Sequence, residues 1–513
     1  MSFLLFLFQV HSDFVLLVVT IIYPVFLCVN YFTINFHIFF DFLYLFIYYM
    51  IENRNSRIPE KKIHSAIQTC SERKECMIIM EITTKNVSVI LITLLFAALS
   101  AFFYFLLFGE KEKHPFSEPV SKEGAGMNLL LILTVALFLR LPCTVLSHDG
   151  DLRYFMNASE EFLTQGFFGF FSRWHIVYPP FFEYLLFLIG KISSFLGITF
   201  VFGSKLTTFI FKIPGIICDL LTGYALYHMT AKQQSRELAL ILSLLYLFCP
   251  VTILDSAYIG QVDSIYSLFT LLTVYLICTK RLELSYFSFA AGFLFKYQII
   301  FITPVLIFGI VTQVILTDFS WKRFYHHLRA GLAAIGCILL SYLPFLYKPS
   351  TGEFRPGDLL LTFGNSLGSY GRASLNAYNF WTLVGYNLMD EQTAFGPLSC
   401  KTWGSIAILA LVCASIVLFL KYRKDISAFP MIGAFLIFGM YCFSTKMMGR
   451  YLFPALGLLF LGFILKPDRK RFLCALLPAN LLFCCIVLDY LYYPYSAYRP
   501  ELLMPRILSI LVL

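Results

Sequence analysis

Apolar residues along this chain fall in long runs, and polar residues are confined to the gaps between them. A helix needs about 20 mostly apolar residues to cross a bilayer. The chain offers runs at 87–108, 127–147, 180–200, 206–229, 236–254, 264–279, 284–318, 329–347, 404–420, 428–444, 451–465 and 472–489. The stretch 284–318 is long enough for two crossings or a broken pair, with the break expected at Lys296–Gln298. A last run, 506–513, is below spanning length. No repeat of fixed period stands out. The pattern predicts an all-α polytopic membrane protein, a bundle of about 11–14 transmembrane helices.

The first 50 residues form one aromatic and β-branched run, followed by a polar, basic stretch over Glu52–Glu75. A cleavable signal would be shorter and would carry a small-residue cleavage site. The expected start is Met77 or Met80, which makes 1–76 an extension; the alternative is two extra helices. Residues 77–126 then hold a first membrane segment and a polar linker, and 127–513 hold the main bundle.

Composition agrees. Hydrophobic residues make up 59% of the chain and charged residues 13%, against roughly 25% charged in soluble domains. The net charge of +9 reads as loop charge rather than nucleic-acid binding. The 14 cysteines lie mostly inside apolar runs, and Cys484-Cys485 is not a metal spacing, so they read as small apolar filler.

The gaps between runs are of two kinds. One set is basic: Lys280-Arg281, then Lys322, Arg323 and Arg329, then Lys421, Arg423 and Lys424, then Lys466, Arg469, Lys470 and Arg471. The positive-inside rule puts these on the cytoplasmic face. The other set, 148–180, 255–263, 348–403, 445–450 and 490–503, is less basic, richer in motifs, and expected on the opposite face. If both 180–200 and 206–229 spanned, this alternation would fail. One of them is therefore expected to be re-entrant or to lie along the interface.

The chemistry sits in the second set. His148-Asp149-Gly150-Asp151 follows a membrane run directly. A carboxylate at a membrane boundary is costly unless solvated or functional, and partial desolvation gives it the basicity a general base needs. Asp149 and Asp151 also form a D-x-D, a weak signal for a divalent metal. Tyr178-Pro179-Pro180 opens the next run, where proline suits a helix start, and Glu183 lies one turn inside. Lys212, Pro214 and Asp219 share a run, with Lys212 and Asp219 on one helix face and expected to stabilise structure. Gly260-Gln261-Val262-Asp263-Ser264 follows Asp255. Phe295-Lys296-Tyr297-Gln298 places a lysine in an apolar stretch, where it needs an anion such as phosphate, or a cavity. Asn376, Tyr378, Asn379 and Trp381 end a glycine-rich loop (Gly364, Gly368, Gly371), with amides and an aromatic face of the kind sugar binding uses. Lys446 and Arg450 add a cationic pair. Each motif alone also reads as a hydrated turn or an interface anchor. Their convergence on one face is the more specific signal.

In this order, Gly150-Asp151, Tyr178–Pro180, Lys212-x-Pro214 with Asp219, Gly260–Ser264, Phe295–Gln298 and Asn376–Trp381, the chain resembles the GT-C glycosyltransferases that use a polyprenyl-phosphate sugar. It looks closest to bacterial membrane mannosyltransferases akin to the second GPI mannosyltransferase, and shares motifs with dolichyl-phosphate-glucose glucosyltransferases. The resemblance covers about residues 127–470. It differs at Val177, where relatives often carry an acidic residue, and at Met448-Gly449, where they often read His-Glu.

The resemblance implies a GT-C-like catalytic domain over 127–513, with the catalytic acid in its first external loop, and an inverting transfer of a hexose, mannose favoured over glucose. Asp151, with Asp149 as runner-up, would take the acceptor proton. Lys296, Arg450 and Lys446 would hold the lipid phosphate. Tyr178, Gln261, Asp263, Gln298, Asn376, Asn379 and Trp381 would meet sugar or acceptor. No cofactor is required, and no metal is expected at Asp149 and Asp151. The partners are the bilayer, the lipid-phosphate sugar and a glycan, lipid or protein acceptor. The place is a bacterial plasma membrane, or the ER membrane in a eukaryote. A transporter or flippase for a lipid-linked glycan is the alternative; it would show inverted repeats. An O-antigen-type polymerase would carry more arginine than Arg355 and Arg372 in loop 348–403. A non-enzymatic membrane scaffold is the remaining reading.

Overall fold

The computed structural model describes residues 96, 98–108, 125–145, 150–173, 178–317, 319–348, 351–359, 370–476 and 509. The expectations for 1–76, Asp149, Val177, Gly364, Gly368, loop 490–503 and most of the run 472–489 lie outside them. One compact unit comprises Tyr104–Ile486 and Arg499–Leu513. Of the other, Met1–Phe103 and Val487–Tyr498, the described residues are 96 and 98–103, the latter the first half of helix α1, Ala98–Phe108.

The main unit is helical. In chain order come α2 (Ala125–Cys143), α3 (Gly150–Arg173), α4 (Pro180–Phe195), α5 (Lys205–Gln233) and α6 (Arg236–Leu247). Then follow α7 (Pro250–Ile259), α8 (Asp263–Cys278), α9 (Leu282–Phe295), α10 (Tyr297–Ile315) and α11 (Trp321–Leu346). The one-turn α12 (Phe380–Leu383) precedes α13 (Cys400–Tyr422), α14 (Ala428–Phe443) and α15 (Gly449–Leu465). Two antiparallel hairpins of two-residue strands, β1–β2 (Tyr347–Lys348, Glu353–Phe354) and β3–β4 (Ala394–Phe395, Leu398–Ser399), lie in the loops around α12. Among the described residues, four helices are long and apolar enough to cross a membrane: α5, α10, α11 and α13. A fifth span results if the bent pair α6–α7 is one crossing.

Sequence chemistry explains the breaks. Cys249-Pro250 splits the expected span 236–254 into α6 and α7, bent by 50°. Proline lacks the N–H for the helix ladder and disfavours helical geometry in the residue before it. Lys296 is extended (φ −157, ψ 127), which separates α9 from the 3-10 turn that opens α10. This is the expected break in 284–318. The run read as 329–347 starts earlier, at Trp321, because its basic and aromatic first turns are competent helix formers. Ser204 and Ser235 cap α5 and α6 by accepting from Thr207 N and Leu238 N, both at 3.2 Å.

The core is built around α8, which packs against α9, α5 and α15. Both α8 and α15 are buried on nearly all sides, as expected of central helices. The bundle has two ends. At the α8 N-terminus lie Asp263 and the other motif loops; at its C-terminus lies Lys280-Arg281.

The order of ends separates the two runs 180–200 and 206–229. Near the start of α5, Lys212 Nζ donates to the carbonyls of Thr144 and Tyr258, at the motif end. Just past the end of α5, Gln234 Nε2 donates to Ile464 O, at the basic end. Helix α5 therefore traverses the bundle, whereas α3 and α4 together leave from the motif end and return to it. They pack through Leu152, Phe155, Ala158 and Phe162 on α3 and Phe182 and Leu186 on α4. The spacing on α3 is that of one helical face. Ser159 Oγ donates to Leu186 O at 2.9 Å.

Lys212 and Asp219, expected as a structural pair on one face, each take partners from other elements. Asp219 lies 3.7 Å from Arg140 Nε, and both are fully buried. Arg140 also donates to Ala136 O at 3.1 Å and Thr252 Oγ1 at 3.0 Å. Removing one partner of such a buried pair strands the other charge, at a cost of about 3–5 kcal/mol. Arg140→Met should therefore lower the thermal midpoint of the purified protein markedly, and adding Asp219→Leu should restore most of the loss. A single variant as stable as wild type would remove the pair from the account.

Candidate active site

The site grows from one turn. Helix α7 ends in a π-type turn, and Gly260 follows it in the left-handed region at φ 85. The N–H groups of Gly260 and Gln261 both donate to Asp255 O, at 3.0 and 2.9 Å. A Cβ on residue 260 would sit 2.8 Å from Lys212 Cγ, so both conformation and space call for glycine. The turn directs the buried Gln261 toward Asp151 and sets Asp263 at the first position of α8.

Four chain segments meet there. Asp263, fully buried, accepts from Lys296 Nζ at 2.6 Å through Oδ1. Its Oδ2 lies 3.2 Å from Arg450 Nε. Arg450 Nη2 lies 3.3 Å from Asp151 Oδ2, and Gln261 Nε2 donates to the same oxygen at 2.7 Å. The circuit closes, because Gln261 and Asp263 share a turn. The helix starts of α3, α8 and α15 and the α9–α10 break are thereby tied together. Lys296 Nζ also lies 5.2 and 5.1 Å from the ring centroids of Tyr266 and Tyr451, a cation–π arrangement on two sides.

Exposure separates the members. The Asp151 side chain is 31% exposed, while those of Arg450 and Lys296 are 8% and 7% exposed and that of Asp263 is 0% exposed. Among the described residues both partners of Asp151 take Oδ2, and neither engages Oδ1. The arrangement offers one accessible carboxylate beside a guanidinium that is itself held from behind. Asp255 is fully buried beneath it, with neither carboxylate oxygen hydrogen-bonded.

Other expected site residues take different positions. Tyr178 is half-buried and packs on Tyr154, Phe155 and Phe182, with ring centroids 5.7, 5.6 and 4.6 Å away. Glu183 is fully buried and accepts from the Tyr154 hydroxyl at 2.6 Å. Gln298 lies in the turn after Lys296, near Tyr266 and Tyr451. Lys446 has a left-handed backbone (φ 65) and lies 3.2 Å from Glu391, in a cluster with Lys401.

Asn376, Asn379 and Trp381 are buried, and apart from Asn376 Nδ2, which has no hydrogen-bond partner among the described residues, their side-chain polar groups engage the protein. Asn387 Nδ2 donates to Asn376 Oδ1 at 2.8 Å. Asn379 Nδ2 donates to Tyr441 O at 3.1 Å, and its Oδ1 accepts from Thr382 N. Trp381 Nε1 donates to Phe443 O at 3.0 Å. Leu375 N donates to Met447 O at 2.9 Å. These bonds fasten the loop to the end of α14 and to the segment that carries Arg450. Sequence reasoning passed over Asn387, Tyr441 and Glu391, because an amide, a tyrosine and a glutamate in loops or at a helix end carry no local signal of such contacts. Among the described residues no group of three His, Cys, Asp or Glu side chains gathers in a metal-holding arrangement.

Asp263 separates two buried cations. Asp263→Asn should take from Lys296 and Arg450 the buried carboxylate they share and cost about 3–5 kcal/mol of stability. Asp263→Asn with Lys296→Met should recover part of that loss, a coupling readable in a double-mutant cycle of thermal unfolding. Strict additivity of the two changes would contradict the hub.

Residues 178–347 match the family model described as dolichyl-phosphate-mannose-protein mannosyltransferase. No curated protein matches the chain. The matched stretch holds Gln261, Asp263 and Lys296, so this half of the circuit lies in a region similar to a family of membrane glycosyltransferases of the GT-C type.

Proposed function

We propose that the protein is an inverting glycosyltransferase that moves a hexose, mannose first and glucose second, from a polyprenyl-phosphate sugar to an acceptor hydroxyl. The acceptor is on a glycan, lipid or protein. The face of action is the motif end of the bundle, extracytoplasmic if the basic loops lie inside. The observation that carries the reading is the pairing of one accessible carboxylate, Asp151, with the Arg450 guanidinium 3.3 Å away.

In this reading Asp151 takes the acceptor proton as the acceptor oxygen bonds to the anomeric carbon. The bond from that carbon to the phosphate oxygen breaks on the opposite side, and its electron pair stays with the phosphate. Arg450 meets the growing charge on the leaving phosphate. Lys296 shares Asp263 with Arg450 and adds positive charge behind it. Gln261 holds Asp151 Oδ2, which leaves Oδ1 to receive the proton. Polyprenyl phosphate is already a good leaving group, so this step needs no metal. The similarity over 178–347 to a mannosyltransferase family supports the donor class and the preference for mannose.

The test is transfer of radiolabelled sugar from polyprenyl-phosphate mannose and polyprenyl-phosphate glucose, with the product anomer identified. Wild type should transfer with inversion, and Asp151→Asn should lose about 10²–10⁴-fold, the usual contribution of a general base. Full activity in Asp151→Asn would remove Asp151 as the base. No transfer from either donor would overturn the proposal.

A further inference from the structure

The basic end of the bundle holds a cavity of about 750 Å³ at the C-terminus of α8. Lys280, Arg323, Arg423 and Lys424 line it, from the loop after α8, the first turn of α11 and the loop after α13. One carboxylate, Glu283, is also present, and it is engaged by the imidazoles of His326 and His327 at 3.1 and 3.4 Å. Four cations against one occupied carboxylate make a site for an anion. Lys280 has a left-handed backbone, φ 60, a conformation costly for a residue with a side chain. Arg323 Nη1 donates to Thr317 O at 2.7 Å, which holds that wall in place.

A second cavity of about 360 Å³ shares His327 with the first. It is an apolar groove between α9, α10 and α11, walled by Phe289, Leu306, Ile310, Leu332 and Ile335. Leu332 and Ile335 are more than half exposed, so the groove opens on the side of the bundle. Trp321 and Tyr325 are exposed at the start of α11, where a headgroup layer would lie. A polar, cationic chamber joined to an apolar groove at the membrane boundary matches an amphiphile with an anionic head.

We infer that this is a binding site for an acidic glycerophospholipid of the leaflet bordering the basic end, with its phosphate among the four cations and an acyl chain in the groove. The site is distinct from the one that holds Asp151. Asp263 and Lys280 stand at opposite ends of α8, whose 16 residues span about 24 Å at the usual helical rise. The inference does not rest on the proposed transfer reaction.

The test is native mass spectrometry of the full chain with phosphatidic acid, phosphatidylcholine of the same acyl chains, polyprenyl phosphate and inorganic phosphate. Two variants separate the parts. Arg423→Gln with Lys424→Gln removes two exposed cations. Gly331→Phe fills the groove, since a Cβ at Gly331 meets no atom within 4 Å. Wild type should retain phosphatidic acid over phosphatidylcholine. The double variant should bind it about thirtyfold more weakly, the change expected for two basic side chains at a charged lipid surface. Gly331→Phe should lose it while keeping the lipid-free thermal midpoint. Equal retention of both glycerophospholipids, or retention unchanged in both variants, would overturn the site. Polyprenyl phosphate held there in preference to phosphatidic acid would overturn the glycerophospholipid assignment. Inorganic phosphate binding as tightly as the lipid would overturn the role of the groove.

Discussion

A buried carboxylate between two buried cations is the constraint on which the motif end depends. Asp263 has no exposed surface, and Lys296 and Arg450 have little. Charges taken out of water are costly unless they are paired at close range. The helix start at Asp263, the break at Lys296 and the helix start at Arg450 must therefore arrive together, or each strands a charge. Their meeting brings Arg450 within reach of Asp151, and Gln261 from the same turn takes hold of Asp151 as well. The accessible carboxylate is thus placed by groups whose own positions are set by burial.

The supporting parts follow from that demand. Gly260 permits the tight turn, because a side chain there would meet Lys212 and force a left-handed residue to carry a Cβ. The extended backbone at Lys296 interrupts a long apolar stretch at the level where its ammonium reaches Asp263. The loop with Asn379 and Trp381 is bonded to Tyr441 O and Phe443 O, and through Leu375 to Met447, three residues before Arg450. Helices α3 and α4 stay at the motif end, and their packed aromatic face holds Asp151 at its margin. At the far end of α8 the cations Lys280, Arg323, Arg423 and Lys424 come from two loops and a helix start, and they surround a chamber.

The sequence made the all-α membrane architecture legible because apolar runs of spanning length have few other uses. The break near Lys296 and the turn at Gly260 were legible for a related reason: charge, amide and glycine in an apolar background are costly without a purpose. Asp151, Asp263, Lys296 and Arg450 could each be picked out on that ground. Their pairing could not, since it joins segments far apart in the chain. Arg140 went unremarked because one arginine near a helix end looks like an interface anchor until Asp219 is seen beside it. Asn376, Asn379 and Trp381 suggested sugar contacts by residue type. Whether an amide meets a ligand or a carbonyl is decided by neighbours such as Asn387 and Tyr441, which no local pattern announces.

The central claim is that Arg450, held from behind by Asp263, meets the lipid phosphate in front of Asp151. The most direct measurement is the affinity of polyprenyl phosphate for the purified protein in lipid nanodiscs, for wild type, Arg450→Gln and Asp151→Asn. Loss of a hydrogen bond to a charged group should weaken binding to Arg450→Gln by roughly ten- to a hundredfold. Asp151→Asn, which removes a negative charge beside the site, should bind at least as tightly as wild type. Wild-type affinity in a folded Arg450→Gln protein would contradict the account.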